Sequence, residues 1–147
     1  MNDSGKANFV FNNVTDGVPV YIQLKHRNSI ETWSRKPNSA SFAVMFSIHF
    51  APFTSYLKYD FTVSAGSAFA NNMLQVDTAP NRFAIYSGDV NQDGTINLSE
   101  GSLIVNDAFN FISGYVKSDL NGDSFVDLTD YSIADNNAFN FVSVVRP

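Results

Sequence analysis

Two twelve-residue stretches with the same spacing of oxygen-bearing side chains constrain this chain more than any other feature. The first covers residues 89–100 and the second covers residues 119–130. In each stretch, side chains that carry oxygen stand at positions one, three, five, nine and twelve. Ca²⁺ takes about six to eight oxygen ligands, and a loop with this alternation can supply them if position seven adds its main-chain carbonyl. The spacing therefore predicts two calcium loops.

The turn at position six distinguishes the two loops. Gly94 provides it in the first loop, since glycine has no Cβ and enters positive φ freely. Ser124 stands there in the second loop and is expected to cost about 1 kcal/mol of strain, which the extra carboxylate of Asp127 offsets in affinity. We therefore expect two Ca²⁺ ions and a loose or unfolded unit without them. The predicted ligands are Asp89, Asn91, Asp93, Thr95, Asn97 and Glu100 in loop one and Asp119, Asn121, Asp123, Phe125, Asp127 and Asp130 in loop two.

The loops belong to a longer internal repeat. Residues 89–113 and 119–143 are identical at 11 of 25 aligned positions. Apolar side chains with helical spacing follow each loop and predict two short helices that pack antiparallel about a pseudo-twofold axis, with Ile96 and Val126 meeting between the loops. Phe109 and Phe139 are expected to fill the core, with contact to the N-terminal domain or to a partner as the alternative. The predicted buried stripes are Leu103, Ile104, Ala108, Phe111 and Ile112, and then Ile133, Ala134, Ala138, Phe141 and Val142.

The paired loops resemble the type I dockerin module, in which two calcium-loop-and-helix units bind a cohesin domain. The resemblance covers about residues 88–147. The run from Tyr86 to Gly94, preceded by the run from His26 to Ser34 (HRNSIETWS), also resembles a dockerin-like C-terminal region of secreted bacterial multidomain proteins. This resemblance implies Ca²⁺ binding and a docking role.

The sequence departs from the dockerin pattern where a cohesin contact would lie. Cohesin-binding dockerins usually carry Ser or Thr at loop positions ten and eleven and a basic pair on the following helix. Position ten is Leu98 in loop one and Leu128 in loop two, and neither helix carries the basic pair. The resemblance therefore implies a docking module whose partner is a cohesin-like domain or a domain of its own parent protein.

Charge and composition suggest where the chain divides. Residues 1–88 carry five acids and seven bases, whereas residues 89–147 carry nine acids and two bases, so net charge shifts from +2 to −7. Seven of those nine acids lie inside the loops, which favours cation coordination and disfavours nucleic-acid binding. A fraction of 44% apolar residues is ample for a core, and there is no cysteine. We place the domain boundary between residues 87 and 88.

The N-terminal half is predicted to be β. Alternating apolar runs bounded by Asn, Gly and Pro indicate short strands, so we expect an antiparallel β-sandwich-like domain over residues 1–87, truncated at its N-terminus. A short helical turn is expected within residues 64–74. No export signal or membrane span is recognised in this sequence. The strand candidates are residues 7–11, 18–25, 42–50, 57–63 and 82–87.

One cluster in this half contains residue types used in acid–base catalysis. His26, Arg27 and Glu31 lie close in sequence, but a structural role, with Arg27 paired to Glu31 and Trp33 covering the edge of the core, is the favoured interpretation. Motifs of hydrolases and nucleotide-binding enzymes are absent from the sequence. Trp33 with Tyr21 also offers a platform for stacking a sugar ring.

Taken together, the sequence predicts an α+β chain with no catalytic residues: the sandwich-like domain, then a small helical calcium module over residues 88–147. We interpret it as a structural or docking module of a secreted or cell-surface bacterial protein. The alternatives are a cohesin-binding dockerin attached to a polysaccharide-degrading enzyme and a carbohydrate-binding accessory module. Neither nucleic acid nor membrane insertion is expected.

Overall fold

The computed structural model describes residues 20–35 and 59–147. They form an α+β arrangement of two small antiparallel sheets and two helices. Strand β1 (Gln23–Leu24) pairs with β2 (Thr32–Trp33), and β3 (Leu74–Thr78) pairs with β4 (Asn81–Ala84). Between the sheets lie two 3₁₀ turns, Ala65–Ser67 and Phe69–Asn71. The helical turn expected within residues 64–74 is thereby confirmed.

The two helices begin at the ends of the two loops, and their first residues explain why. Helix α1 (Leu98–Phe109) is capped by Asn97, whose side chain accepts from the Ser99 N–H, while the Glu100 carboxylate accepts from the Asn97 N–H. Helix α2 (Leu128–Phe139) repeats this reciprocal capping box with Asp127 and Asp130. Each such cap contributes about 1 kcal/mol. Loop positions nine and twelve therefore also start the helices.

Both helices end in a backbone motif that the spacing of apolar residues does not predict. At the end of α1, the N–H of Phe111 donates to Ala108 and that of Ile112 donates to Asp107, and Phe111 takes a φ of 54°. This pattern is a Schellman motif, in which the left-handed position is usually glycine. Phe141 takes the same place after α2, with a φ of 53°. Both phenylalanines thus lie beyond their helices, with side chains 90% and 89% exposed.

The predicted apolar stripes are therefore only partly correct. Ile104 and Ala134 are fully buried, and they lie in one core cluster with Val90 and Val126. Leu103 is 42% exposed. The expectation that Phe109 and Phe139 fill the core is wrong, since each is 82% exposed. These side chains were misassigned because a spacing pattern does not show where a helix stops or which of its sides finds a neighbour.

The helical repeats contact each other reciprocally. The Ile96 N–H donates to the Val142 carbonyl, and thirty residues later the Val126 N–H donates to the Ile112 carbonyl. Each half thus binds the end of the other half, as a twofold relation requires. Ile96 and Val126 are both buried but lie in separate clusters, so the predicted contact between them is wrong.

The second core cluster contains a residue from before the expected domain boundary. Ile30 is 0% exposed and packs with Ile96 and Val142 of the helical unit. The backbone supports this contact, since the Ile30 N–H donates to the Tyr86 carbonyl and the Gly88 N–H donates to the Asn28 carbonyl. The division of the chain between residues 87 and 88 stays a prediction, but buried contacts cross it.

The β predictions are met in part. Strand β1 lies within the candidate 18–25 and β4 overlaps the candidate 82–87, whereas residues 59–63 carry no strand. The candidates 7–11 and 42–50 lie outside the described residues, and the sandwich itself stays a prediction. Strands β2 and β3 were not anticipated, because β2 is two residues long and all five residues of β3 are exposed. In the described parts of the chain, no helix is long and apolar enough to cross a membrane.

We expect Ile30→Ala to destabilise the helical unit by about 2–4 kcal/mol, because it leaves a cavity between Ile96 and Val142. Urea unfolding, followed by a signal from helices α1 and α2, measures the change. Val76→Ala is the matched control, since Val76 is 56% exposed, and should change stability by less than about 0.5 kcal/mol. Equal effects of the two substitutions would show that the segment around Ile30 is not part of this core.

Candidate metal centre

Three carboxylates of loop one converge on one point. Oxygens of Asp89, Asp93 and Glu100 lie within 4.8 Å of one another. Asp89 is 3% exposed and Glu100 is 0% exposed, whereas Asp93 lies at the surface. Burial of two like charges this close is unfavourable without a compensating positive charge.

Two oxygens of these carboxylates have no hydrogen-bond donor. In the described residues, the only buried side-chain polar atoms without a partner are Asp89 Oδ1 and Glu100 Oε1. The other oxygen of each carboxylate is satisfied: Asp89 Oδ2 accepts from the Gly94 N–H at 3.2 Å, and Glu100 Oε2 accepts from the Asn97 N–H at 2.7 Å. Burial raises the pKa of the Asp89 carboxyl, and the Gly94 N–H partly opposes that shift. The three carboxylates of loop one could therefore hold a cation.

The remaining predicted ligands of loop one shape the loop. Asn91 Oδ1 accepts from the Asp93 N–H, and Asp93 Oδ1 accepts from the Thr95 N–H, so that consecutive side chains turn the backbone around the site. Asn97 Oδ1 is engaged as the cap of α1. The predicted ligands that the structure brings together in loop one are thus three carboxylates, whose oxygens suit a hard cation such as Ca²⁺.

Loop two carries the same types of oxygen-bearing side chains, but its inner carboxylates accept different hydrogen bonds. Asp119 is 3% exposed and Asp130 is 0% exposed, which matches loop one. The Asp119 Oδ1 atom accepts from the Gly122 N–H at 2.7 Å, and Asp130 Oδ1 accepts from the Leu120 and Asn121 N–H groups. The oxygens equivalent to the two unpartnered atoms of loop one are thus satisfied by the loop's own backbone.

The outer residues of loop two repeat the turns of loop one. Asn121 Oδ1 accepts from the Asp123 N–H, and Asp123 Oδ1 accepts from the Phe125 N–H. The hydroxyl and N–H of Thr129 both donate to the exposed Asp127 carboxylate and lower its pKa. Loop two therefore has the chain path of loop one, although its inner carboxylates are already hydrogen-bonded.

The two loops also differ at position six. Gly94 has a φ of 90°, and a Cβ there would lie 2.9 Å from Val144 Cγ1. Ser124 takes a φ of 73°, a region that L-residues rarely adopt. This backbone conformation is the one that the sequence predicted to be strained. In loop one, glycine thus avoids both the strain of positive φ, which Ser124 bears in loop two, and a clash with Val144.

The segment of residues 26–31, which contains residue types used in catalysis, makes structural contacts with loop two. The predicted pair of Arg27 with Glu31 is not formed. Arg27 instead reaches loop two, where Nε donates to the Val116 carbonyl at 2.9 Å and an Nη atom donates to the Asp119 carbonyl at 3.0 Å. His26 Nδ1 lies 2.9 Å from Asn28 Oδ1. The contacts are explained by packing between segments of the chain.

Glu31 holds the end of the chain against this segment. Its carboxylate pairs with Lys25 at 3.1 Å and with Arg146 at 2.9 Å. Trp33 Nε1 donates to the same group at 2.6 Å. Burial by itself would raise the pKa of Glu31, but hydrogen bonds led by those from Arg146 and Trp33 outweigh it and lower the pKa from 4.5 to about 2.

The aromatic pair considered for sugar stacking does not form a flat platform. The Tyr21 and Trp33 rings have centroids 6.4 Å apart and an interplanar angle of 80°. Phe69 also packs against Tyr21 edge to face, with ring centroids 6.1 Å apart. Edge-to-face packing of this kind is typical of aromatic side chains that fill space between elements.

Sequence reasoning missed the residues that connect the loops to the rest of the chain. Arg27 and Asn28 bind loop two, and Gln92 Nε2 of loop one donates to the Ser29 carbonyl at 3.5 Å. Arg146, which binds Glu31, lies outside every motif of the sequence. The HRNSIETWS run was the available signal, since a polar stretch that accompanies the loops suggests contact with them. Spacing within the loops carries no information about residues sixty or more positions away.

Comparisons of this chain with family models, with curated proteins and with solved structures returned no match.

We predict that Gly94→Ala destabilises the calcium-saturated protein by about 2–3 kcal/mol, because the new methyl group meets both positive φ and Val144. Gly122→Ala is the matched control: its φ is 81°, but a Cβ there meets nothing within 4 Å, so only the backbone cost of about 1 kcal/mol applies. Urea unfolding with excess Ca²⁺ measures both. An equal loss for the two variants would contradict the close packing of residue 144 on loop one.

We predict that Glu31 contributes stability at neutral pH that disappears in acid. Its folded-state pKa is lowered from 4.5 to about 2, so the contribution is complete above about pH 4.5 and is lost as the pH falls to about 2. Because Lys25 and Arg146 are more than half exposed, we expect only about 1–2 kcal/mol.

The measurement is the difference in unfolding free energy between the wild-type chain and Glu31→Gln, taken at pH 7 and near pH 2. Taking the difference removes the titration that both proteins share. Arg146→Met should reproduce part of the loss at pH 7 and add little to Glu31→Gln. A difference that stays constant with pH would rule out the role of the ion pairs.

Proposed function

We propose that this chain is a non-catalytic, calcium-binding structural and docking module, whose residues 88–147 form a dockerin-like pair of loop-helix units. The observation that carries the proposal is the pair of buried, unpartnered oxygens in loop one, Asp89 Oδ1 and Glu100 Oε1. An ionised carboxylate oxygen that is buried without a donor costs several kcal/mol, and a bound divalent cation would remove that cost. The oxygen-only donor set favours Ca²⁺ over transition metals.

The position of Glu100 suggests how ion binding would act on the fold. One of its oxygens caps α1 through the Asn97 N–H, and the other is buried and accepts no hydrogen bond. A cation there would fix the carboxylate, the start of α1 and the loop around Gly94 together. The C-terminal residues that cross the loop at Val144, and the Ile96 contact with Ile30, would be ordered with it. The free energy of ion binding would thus stabilise the folded state of the unit.

The docking role is supported by the apolar surface of the helical unit. Phe109 and Phe111 at the end of α1, and Phe139 and Phe141 at the end of α2, are each more than 80% exposed. Exposed aromatic side chains repeated at equivalent positions are typical of protein interaction surfaces. We propose a protein partner for this surface, either a cohesin-like domain or a domain of the parent protein.

Location and ion supply are part of the proposal. Extracellular calcium modules have dissociation constants of about 10⁻⁴ to 10⁻³ M, and the acidic loops of this chain would be filled at external calcium concentrations. We propose a secreted or cell-surface location on this ground. The second ion, in loop two, remains a prediction of the sequence.

The test is a calorimetric Ca²⁺ titration after EDTA treatment, with thermal melts recorded in EDTA and in excess Ca²⁺. We expect binding, and a stability gain of about 3 kcal/mol at a hundredfold excess of ion over the dissociation constant. Glu100→Gln should abolish the tighter binding step. Asp135→Asn is the matched control, since it removes one exposed acid of α2 outside the loops.

Wild-type protein that shows neither heat nor a melting shift at millimolar Ca²⁺ would refute the proposal. Equal loss of binding in Glu100→Gln and Asp135→Asn would show that general acidity, and not loop one, attracts the ion. Mg²⁺ at the same concentration serves as a second control, because it prefers a smaller octahedral site and should stabilise the chain less.

A further inference from the structure

The two loops satisfy their inner carboxylates by different means. In loop one, Asp89 Oδ1 and Glu100 Oε1 have no donor. In loop two, the equivalent Oδ1 atoms of Asp119 and Asp130 together accept three backbone N–H groups at 2.7–3.1 Å. Asp130 is also one methylene shorter than Glu100. The inner carboxylates of loop two thus accept hydrogen bonds from their own loop, whereas two carboxylate oxygens of loop one accept none.

Within residues 20–35 and 59–147, the only salt bridge to a loop carboxylate is made by Arg27 and reaches loop two, whereas Arg146, near Gly94 of loop one, pairs with Glu31. An Nη atom of Arg27 lies 3.9 Å from Asp119 Oδ2 and 3.0 Å from the Asp119 carbonyl, which also accepts from Asn28 Nδ2 at 2.8 Å. The Arg27 side chain is 19% exposed and lies over the Tyr115 ring at 3.9 Å. The equivalent carbonyl of loop one, that of Asp89, accepts from the neutral Gln92 amide.

Further contacts fix residues 116–119, which lead into loop two and which we call its entrance. Arg27 Nε donates to the Val116 carbonyl, and the buried Ser118 hydroxyl donates to the Asp107 carboxylate of α1. The residues just before Asp119 are therefore held on both sides. A preformed entrance lowers the entropy that loop two loses on folding.

We propose that Arg27 and Asn28 take the place of a cation at the entrance of loop two, so that this loop folds without Ca²⁺ and binds its ion after loop one and more weakly. The proposal rests on the proposed function in that loop one binds Ca²⁺. Arg27 is a positioning residue here: its charge offsets that of Asp119, and its planar group holds two main-chain carbonyls.

The physical reason for weaker binding is competition. An ion entering loop two has to replace the N–H groups that now bind Asp119 and Asp130, and it approaches a guanidinium of the same sign. An ion entering loop one meets two oxygens with no donor. We expect the two dissociation constants to differ by roughly tenfold or more.

Amide hydrogen exchange of the full chain in EDTA tests the first half of the proposal. The N–H groups of Leu120, Asn121 and Gly122 should be protected, whereas those of Gly94 and Asn97 in loop one should exchange fast until Ca²⁺ is added. Fast exchange in both loops, or equal protection in both, would overturn it.

Calcium titration of the wild-type chain tests the second half and separates the two proposals. Two steps that differ by tenfold or more, with the tight step lost in Glu100→Gln and kept in Asp130→Asn, are expected. Two equal sites would overturn this inference and leave the proposed function intact. No binding at all would overturn the proposed function and, with it, this inference, which rests on Ca²⁺ binding by loop one.

Arg27→Gln tests the residue itself. This substitution removes the positive charge and part of the planar group that binds the two carbonyls. Protection of the loop-two amides should therefore fall at least tenfold in EDTA and return with Ca²⁺, while the protection of loop one is unchanged. Arg82→Gln is the matched control, since it removes the same charge from β4. Arg27→Lys keeps the charge without the planar group and should give intermediate protection. Loss of protection in loop one as well, measured in excess Ca²⁺, would assign Arg27 a general structural role and contradict the proposal.

Discussion

Burial of carboxylates at the twelfth loop position is the constraint on which the helical unit depends. Glu100 and Asp130 are both 0% exposed, and each caps its helix through one oxygen. The same side chain therefore ends the loop, begins the helix and brings a charge into the interior. A buried charge is tolerated only where something compensates for it. What compensates the second oxygen, an expected ion in loop one and the loop's own N–H groups in loop two, distinguishes the two halves.

The repeat is symmetric in its backbone and asymmetric in its surroundings. The reciprocal bonds from Ile96 to Val142 and from Val126 to Ile112 follow the twofold relation. Ile30 covers the first pair, so Val142 is 7% exposed, whereas the equivalent Ile112 is 38% exposed. The segment around Ile30 thus packs against one of the two equivalent surfaces of the repeat. This contact makes the helical unit and the segment around Ile30 a single packed structure.

Much of the local structure was predictable from the sequence. Loop spacing located the converging carboxylates of Asp89, Asp93 and Glu100, and the repeat located both helices. Exposure of the aromatic side chains was not predictable in the same way. Phe111 and Phe141 occupy a left-handed position that usually holds glycine, so that apolar spacing placed them on a helix that had already ended.

The pairing of distant charges also escaped sequence reasoning. Arg27 and Glu31 stand four positions apart and were expected to pair, yet Arg27 binds loop two and Glu31 binds Arg146. Their partners lie about ninety and more than one hundred residues away. A turn sets which direction each side chain takes, and a sequence pattern does not encode that direction.

The two loops, their oxygen donors and the helices that follow can be derived from the sequence, because these features depend on residues close together in the chain. Which oxygens stay free, which loop binds Arg27 and which side of the repeat Ile30 covers follow from the folded arrangement instead. These depend on how segments far apart in sequence approach one another. Identical donor spacing therefore led to two chemically different loops, since the environment of a buried carboxylate is set by its neighbours in space.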